Sequence, residues 1–192
     1  VGQVRAVLYP AIAEAAHRVG AGAVGLIDVG RSAGVNLDVD RVGITYGNGQ
    51  SLGDASSPVQ LSSSVVGRRP PPARAMPEVV VRIAVEVLPE DLAVVPPGVL
   101  PVVTTTWALS RLTPERRRRF LGRLEEAGAG RPVAWVSVEG VGVAPAVPTL
   151  GDRPASGHSI VGLALFDRSG VHAEALGRCW SRGRWLSWLA DS

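Results

Sequence analysis

The sequence predicts an α/β sandwich with a mostly parallel sheet and a C-terminal antiparallel hairpin. Three observations carry this reading. Near-continuous apolar runs such as Val79 to Val87 and Val133 to Val138 suit strands buried on both faces of a sheet. A well-delimited helix falls between two of these runs. Two alternating stretches flank Asp167-Arg168-Ser169-Gly170 near the end, the pattern of a hairpin. The 192 residues, 46% of them hydrophobic, suit one domain spanning 1–192.

In chain order, Val4, Leu8, Ile12, Ala15, Ala16 and Val19 recur at helical spacing, with Pro10 expected to break the helix or sit in its first turn. A strand follows, six mostly apolar residues ending in Asp28, then a glycine turn and a helix start. Val42 to Tyr46 and the segment after Gly49 flank Gly47-Asn48-Gly49, a hairpin signal. Val59 to Val66 adds a strand, and Gly67 to Pro77 reads as an irregular loop. Val79 to Val87 and Val99 to Thr104 are further strands. Thr113 as N-cap, Pro114 in the first turn, Glu115 at the positive dipole end and Gly128 or Gly130 as stop define the clearest helix. Leu112, Phe120, Leu121 and Leu124 share its inner face, and Arg116 to Arg119 read as a solvated face. Val133 to Val138 is a strand ending in Glu139. Ser159 to Phe166 and Val171 to Gly177 form the hairpin. Trp180, Trp185, Leu186, Trp188 and Leu189 read as core or edge cover.

Composition narrows the partners. The formal net charge is only +3 although the pI is about 9.9, because all 20 basic residues are arginine. That excess, without interleaved aromatics, gives no reason to expect nucleic acid. No run has the length of a membrane span. The one cysteine, Cys179, excludes an intramolecular disulfide and a thiolate cluster, so a reducing, cytoplasmic compartment is expected. His17, His158 and His172 lack ligand spacing, so no metal is expected. The chain starts at Val1, and a missing N-terminal part is expected. Substrate and oligomeric state are not encoded in any pattern.

The turn in AVGLIDVGRSAGVNLDVDR, Ala23 to Arg41, is where chemistry is expected. A strand, a glycine turn and a helix start at the carboxyl edge of a sheet make a docking point for an anionic or polar ligand. The order strand, glycine turn, strand with a terminal acid, strand, helix, strand, hairpin is that of class I methyltransferases, a three-layer Rossmann-like build. In that analogy S-adenosylmethionine is the cofactor. Asp28 and the backbone of Gly30, Ser32, Gly34 and Asn36 line its methionine and ribose side, and Glu86, at a strand end, accepts the ribose hydroxyls. Methyl transfer to a small molecule then needs alignment and no triad, so no catalytic residue is assigned. Ser32 and Val35 stand where a dinucleotide fingerprint needs glycine, which disfavours NAD.

The segments LIDVGRSAGVNLDVDR, TYGNGQSLGDASSPVQL, VVTTTWALSRLTPERRRRFLGRLEEAG, RPVAWVSVEG and GRWLSWL together resemble a bacterial family, domain of unknown function 2332. The resemblance covers most of the chain. It implies a Rossmann-like, methyltransferase-like fold and no established reaction. Two departures stand out. The family continues after its second strand into a helical stretch and a further strand, whereas VRIAVEVLPEDLAVVPPGVLPVV joins the two strands here almost directly. An internal deletion after Glu86 is therefore expected, with loss of residues that could cover an adenine ring. The closing motif has Arg182-Gly183 where the family carries His-Gly.

Two other functions fit the letters. A non-catalytic remnant that binds a partner or nothing follows if the deletion removed the cofactor site. Alternatively Gly30-Arg31-Ser32-Ala33-Gly34 spells G-x-S-x-G, a nucleophile elbow, and Asp152 or Asp167 followed by His158 or His172 gives the chain order of a serine hydrolase. Against the hydrolase, this strand comes first, and His172 falls inside a strand.

Overall fold

A computed structural model describes residues 2–32 and 34–191; Val1, Ala33 and Ser192 lie outside the described residues, and with Ala33 the position after the serine of the G-x-S-x-G pattern. The element order is α1 (Arg5–Val19), β1 (Ala23–Val29), a 3-10 helix (Val35–Arg41), β2 (Gly43–Tyr46), β3 (Ser51–Gly53), β4 (Gln60–Val65), β5 (Glu78–Val85), β6 (Leu100–Thr106), a short 3-10 turn (Leu109–Arg111), α2 (Pro114–Gly130), β7 (Val133–Gly140), β8 (Ser159–Asp167), β9 (Gly170–Trp180), a second turn (Ser181–Gly183) and β10 (Trp185–Trp188). One 10-stranded sheet runs in the order β3-β2-β4-β10-β9-β8-β7-β6-β1-β5. β5, β1, β6 and β7 are parallel, as are β10, β4 and β2; β8 and β9 are antiparallel to their neighbours.

Alternation along the strands sends side chains to two cores. Val24 and Leu26 of β1, Val102 of β6 and Ala134, Val136 and Val138 of β7 pack with α1 on one face. Ile27 and Val29, Val103, Val133 and Trp135 pack with Phe120 and Leu124 of α2 on the other. The result is a three-layer α/β/α arrangement. Trp135 is fully buried, edge-on to Phe120 at 5.2 Å between ring centroids, and its Nε1 donates to Thr105 Oγ1 at 3.0 Å.

The helix α1 departs from expectation at Pro10, which lies inside it. Proline lacks the N–H that would bond the carbonyl four residues back, so the Ala6 carbonyl is left without its helical donor. The Tyr46 hydroxyl supplies one, donating to Ala6 O at 2.6 Å. Burial of that phenol pushes its pKa up, which keeps it a donor. The glycine turn also departs from expectation. It leads into a 3-10 helix kinked at Asp38 and directly on to β2, not into a full α-helix. The helix α2 matches its cap signals, with Thr113 Oγ1 accepting from Arg116 N at 3.3 Å.

Residues 86–99 join β5 to β6 without a helix. The connection is nevertheless part of the core, because Leu88, Leu92 and Val95 are buried against Ile27, Val103 and Leu124. Gly25 allows this approach, since a Cβ there would come within 2.8 Å of Val95. Two arginines of the neighbouring layer, Arg123 in the middle of α2 and Arg131 just after its end, fix the connection. Arg123 donates to Leu88 O at 2.8 Å, and Arg131 donates to the carbonyls of Val95, Pro96 and Val99 at 2.6 to 2.7 Å. No helix of the described residues is long and apolar enough to cross a membrane.

Candidate functional site

After β1 the chain builds β2, β3 and β4 at the far edge of the sheet, returns to form β5 on one side of β1 and then crosses to β6 on the other. The carboxyl edge between β1 and β6 is therefore the switch point at which open α/β sheets hold ligands. A cavity of about 920 Å³ opens there, lined among others by Gly30, Ser32, Glu86, Trp107, Arg111 and Arg182. A smaller, mostly apolar cavity of about 320 Å³ adjoins it and shares Val29, Glu86, Val87, Leu112 and Arg116; Leu88, Phe120, Arg119 and Arg123 complete its wall.

Of the six residues expected from the sequence, Gly30, Ser32 and Glu86 reach the cavity. Asp28 does not. It is 1% exposed, beneath the turn, and its carboxylate is occupied: Thr104 Oγ1 donates to Oδ1 at 2.7 Å, the Ser32 hydroxyl donates to Oδ2, and Asn36 Nδ2 lies 3.5 Å from Oδ1. Thr104 is the cross-strand partner of Asp28 in the β1–β6 register, so the sheet itself brings the two together. Asn36, also buried, donates to Thr106 Oγ1 at 3.1 Å. Asp28 thus ties β1, β6 and the turn together from below. Gly34, at φ +75°, starts the 3-10 helix, and its Cα faces Leu37 and Ala84. Gly30, at φ +126°, lies so close to Ala108 that a Cβ would approach it to 2.9 Å. Its N–H bonds Val85 O at 2.9 Å, fastening the turn to β5. Glu86, one residue beyond β5, is exposed toward both cavities.

No histidine hydrogen-bonds Ser32 among the described residues. His158 Nε2 lies 2.7 Å from Asp152 Oδ2, and Arg178 clamps the same carboxylate at 2.6 and 2.9 Å. These contacts, Arg178 first, lower the Asp152 pKa to about 2. His172 lies with Ser169 and Asp167 at the hairpin turn, the other end of the sheet.

The structure adds residues that sequence spacing did not mark. Glu139, at the end of β7, is 1% exposed, and its Oε1 accepts from the backbone N–H of Ala108 and of Leu109, both at 3.0 Å. Its Oε2 is buried without a partner among the described residues, and burial raises its pKa despite those two amides. It thereby holds the cavity wall after β6. Trp107 starts that wall at φ +50°, with its N–H on Val138 O and Nε1 on Ser159 Oγ, both at 2.8 Å. Ser181 and Arg182 on the opposite rim have φ +48° and +58°. Left-handed backbone at a non-glycine residue costs about 1–3 kcal/mol and gathers at functional sites. Of the positive-φ non-glycine residues among the described residues, Trp107, Ser181 and Arg182 line this one cavity. Positive φ has no local signal in these residue types, so the sequence could not have marked them.

A family described as an uncharacterised protein conserved in bacteria, domain of unknown function 2332, matches residues 1–85 and 73–188. No curated protein and no solved structure matches the chain.

Proposed function

The chain belongs to that bacterial family, and we propose that it is an S-adenosylmethionine-dependent methyltransferase of Rossmann-like, class I methyltransferase-like build, acting on a small molecule. One observation carries this reading: Glu86, at the carboxyl end of β5, stands where the apolar cavity meets the larger polar one at the switch point. A nucleoside-bearing cofactor has that division. Its base favours the apolar wall of Val87, Leu88, Leu112 and Phe120, its ribose hydroxyls suit a carboxylate at the strand end, and its polar tail extends across the glycine turn. The connection after Glu86, expected to lack cover for an adenine, supplies Val87 and Leu88 to that wall.

Glu86 and the turn at Gly30 and Ser32 would hold S-adenosylmethionine, which would supply an electrophilic methyl group to a nucleophilic acceptor. The protein's part is alignment. The turn held by Asp28, and the wall held by Glu139, set the two sides of the cavity. Asp28 acts in this reading as a positioning residue, not as a direct ligand.

A second reading, a non-catalytic module, draws on the Gly30 N–H and the Asp28 carboxylate being satisfied within the protein. Calorimetric titration with S-adenosylmethionine and S-adenosylhomocysteine separates the two. Saturable binding weakened about tenfold or more in Glu86→Ala is expected, a loss of about 1.4 kcal/mol. Absence of binding, or binding unchanged in Glu86→Ala, supports the module and removes the methyltransferase.

A further inference from the structure

The larger cavity is lined by four arginines, Arg31, Arg111, Arg116 and Arg182, and by one carboxylate, Glu86. They come from three separate segments: the turn after β1, the approach to α2 with its first turn, and the turn after β9. None of the four has an ion pair or a side-chain hydrogen bond among the described residues. Elsewhere in the molecule several arginines have acids beside them: Arg82 with Asp40 at 2.6 Å, Arg178 with Asp152 at 2.6 Å, and Arg18 and Arg74 with Glu14 at 3.0 and 2.6 Å. Others bond main-chain carbonyls, as Arg131 and Arg117 do. Arginine is abundant in this chain, so one exposed guanidinium means little. Convergence of four on one concave surface, with a single acid among them, is different. Like charges so placed repel one another, and a multivalent anion in the cavity removes that repulsion while forming forked hydrogen bonds.

The rim positions these groups. Arg182 itself has φ +58° and follows Ser181 at +48°, so its side chain leaves the turn in a direction that an ordinary strand end would not give. Gly183, next in line, at φ +101°, lies against the backbone of Val4 and Gln3, and Gln3 Nε2 lies 3.3 Å from its carbonyl. The Ser63 hydroxyl donates to the same carbonyl at 2.7 Å. The turn is therefore fixed by contacts remote in sequence. On the facing wall, Arg111 ends the 3-10 turn whose first amides rest on Glu139.

We propose that this arginine cluster binds a small molecule carrying two or more negative charges, a phosphate ester or a polycarboxylate. As the identity of a methyl acceptor this deepens, and rests on, the methyltransferase reading; as an anion site it stands by itself. Trp107, in the same lining, is a fluorescent reporter of the cavity.

The test is titration of the intact chain at low ionic strength with inorganic pyrophosphate and, separately, with citrate, followed by calorimetry and tryptophan fluorescence. One saturable site is expected, weakened about tenfold or more by Arg111→Gln and by Arg182→Gln and unchanged by Arg168→Gln at the opposite end of the sheet. Preference for pyrophosphate indicates a phosphate ester, and preference for citrate a polycarboxylate. Absence of saturable binding of either probe, or equal loss in Arg168→Gln, overturns the proposal. Circular dichroism of each variant confirms that the fold is intact, and Arg31→Gln replaces any variant that is not. Glu86→Gln separates the two readings, because it is expected to impair S-adenosylhomocysteine and to spare or strengthen pyrophosphate. Pyrophosphate binding without S-adenosylhomocysteine binding keeps the anion site and removes the methyltransferase; the reverse result does the opposite.

Discussion

Each end of the sheet carries an aspartate paired with a serine, and the two pairs behave differently. At the carboxyl end Asp28 is buried and receives Ser32, four residues away, together with Thr104, whose separation is 76 residues. At the other end Asp167 accepts the N–H and hydroxyl of Ser169, two residues on, at 2.7 and 2.5 Å, and the Ser169 hydroxyl is 2.9 Å from His172 Nε2, all exposed. The second cluster is the side-chain turn that asparagine and aspartate make anywhere on a surface. The first joins two strands and a loop, so it is tied to the tertiary fold. A serine, an aspartate and a histidine in mutual contact therefore mark a turn here. The candidate cavity lies where the polar groups are drawn from distant segments.

Substitution sharpens the contrast. Asp28→Ala leaves the Thr104, Asn36 and Ser32 donors without their buried acceptor, and a loss on the order of 3 kcal/mol is expected, measured by urea denaturation. Asp167→Ala, at an exposed turn, is expected to leave the denaturation midpoint unchanged. Equal effects at the two ends would remove the distinction. A smaller effect is expected at Glu139. Its folded pKa lies above that of an unfolded glutamate, about 4.3, so its contribution is fully present below that pH and is lost as pH rises through the folded value. Glu139→Gln cannot ionise. The thermal midpoint of the variant relative to the native chain is therefore expected to rise with pH from about 4.3 upward, the reference pKa of an unfolded glutamate. A constant difference across pH would contradict the raised pKa.

Much of the fold is legible in local pattern, and the exceptions share a cause. Buried strands such as β6 and β7 announce themselves through valine runs, and α2 through Thr113 and Pro114, because those signals lie within the element. Pro10 misleads because its consequence is met by Tyr46, whose hydroxyl, forty residues from Ala6, replaces the missing N–H on the Ala6 carbonyl. The turn after β1 misleads in the other direction. Its glycines suggest a helix start, but the chain has only Val35 to Arg41 before it must enter β2, and a 3-10 helix fits that length. At the site, Gly30, Ser32 and Glu86 are legible as a turn and a strand end. Asp28 is legible as important, yet its burial follows from its register with Thr104, which no single strand reveals. Glu139, Trp107, Arg111 and Arg182 reach the cavity region from positions spread over 75 residues, with no spacing to connect them. Arg116 belongs to a run that reads as solvated, and its place at the cavity depends on how α2 docks.

The most direct measurement is the amide spectrum of ¹⁵N-labelled protein titrated with S-adenosylhomocysteine. Shifts confined to the carboxyl edge are expected, at Gly30, Glu86, Leu88 and Trp107, with Asp167 to His172 unmoved. A spectrum that does not change, or shifts shared equally with the hairpin turn, would contradict a cofactor site at the β1–β6 switch point.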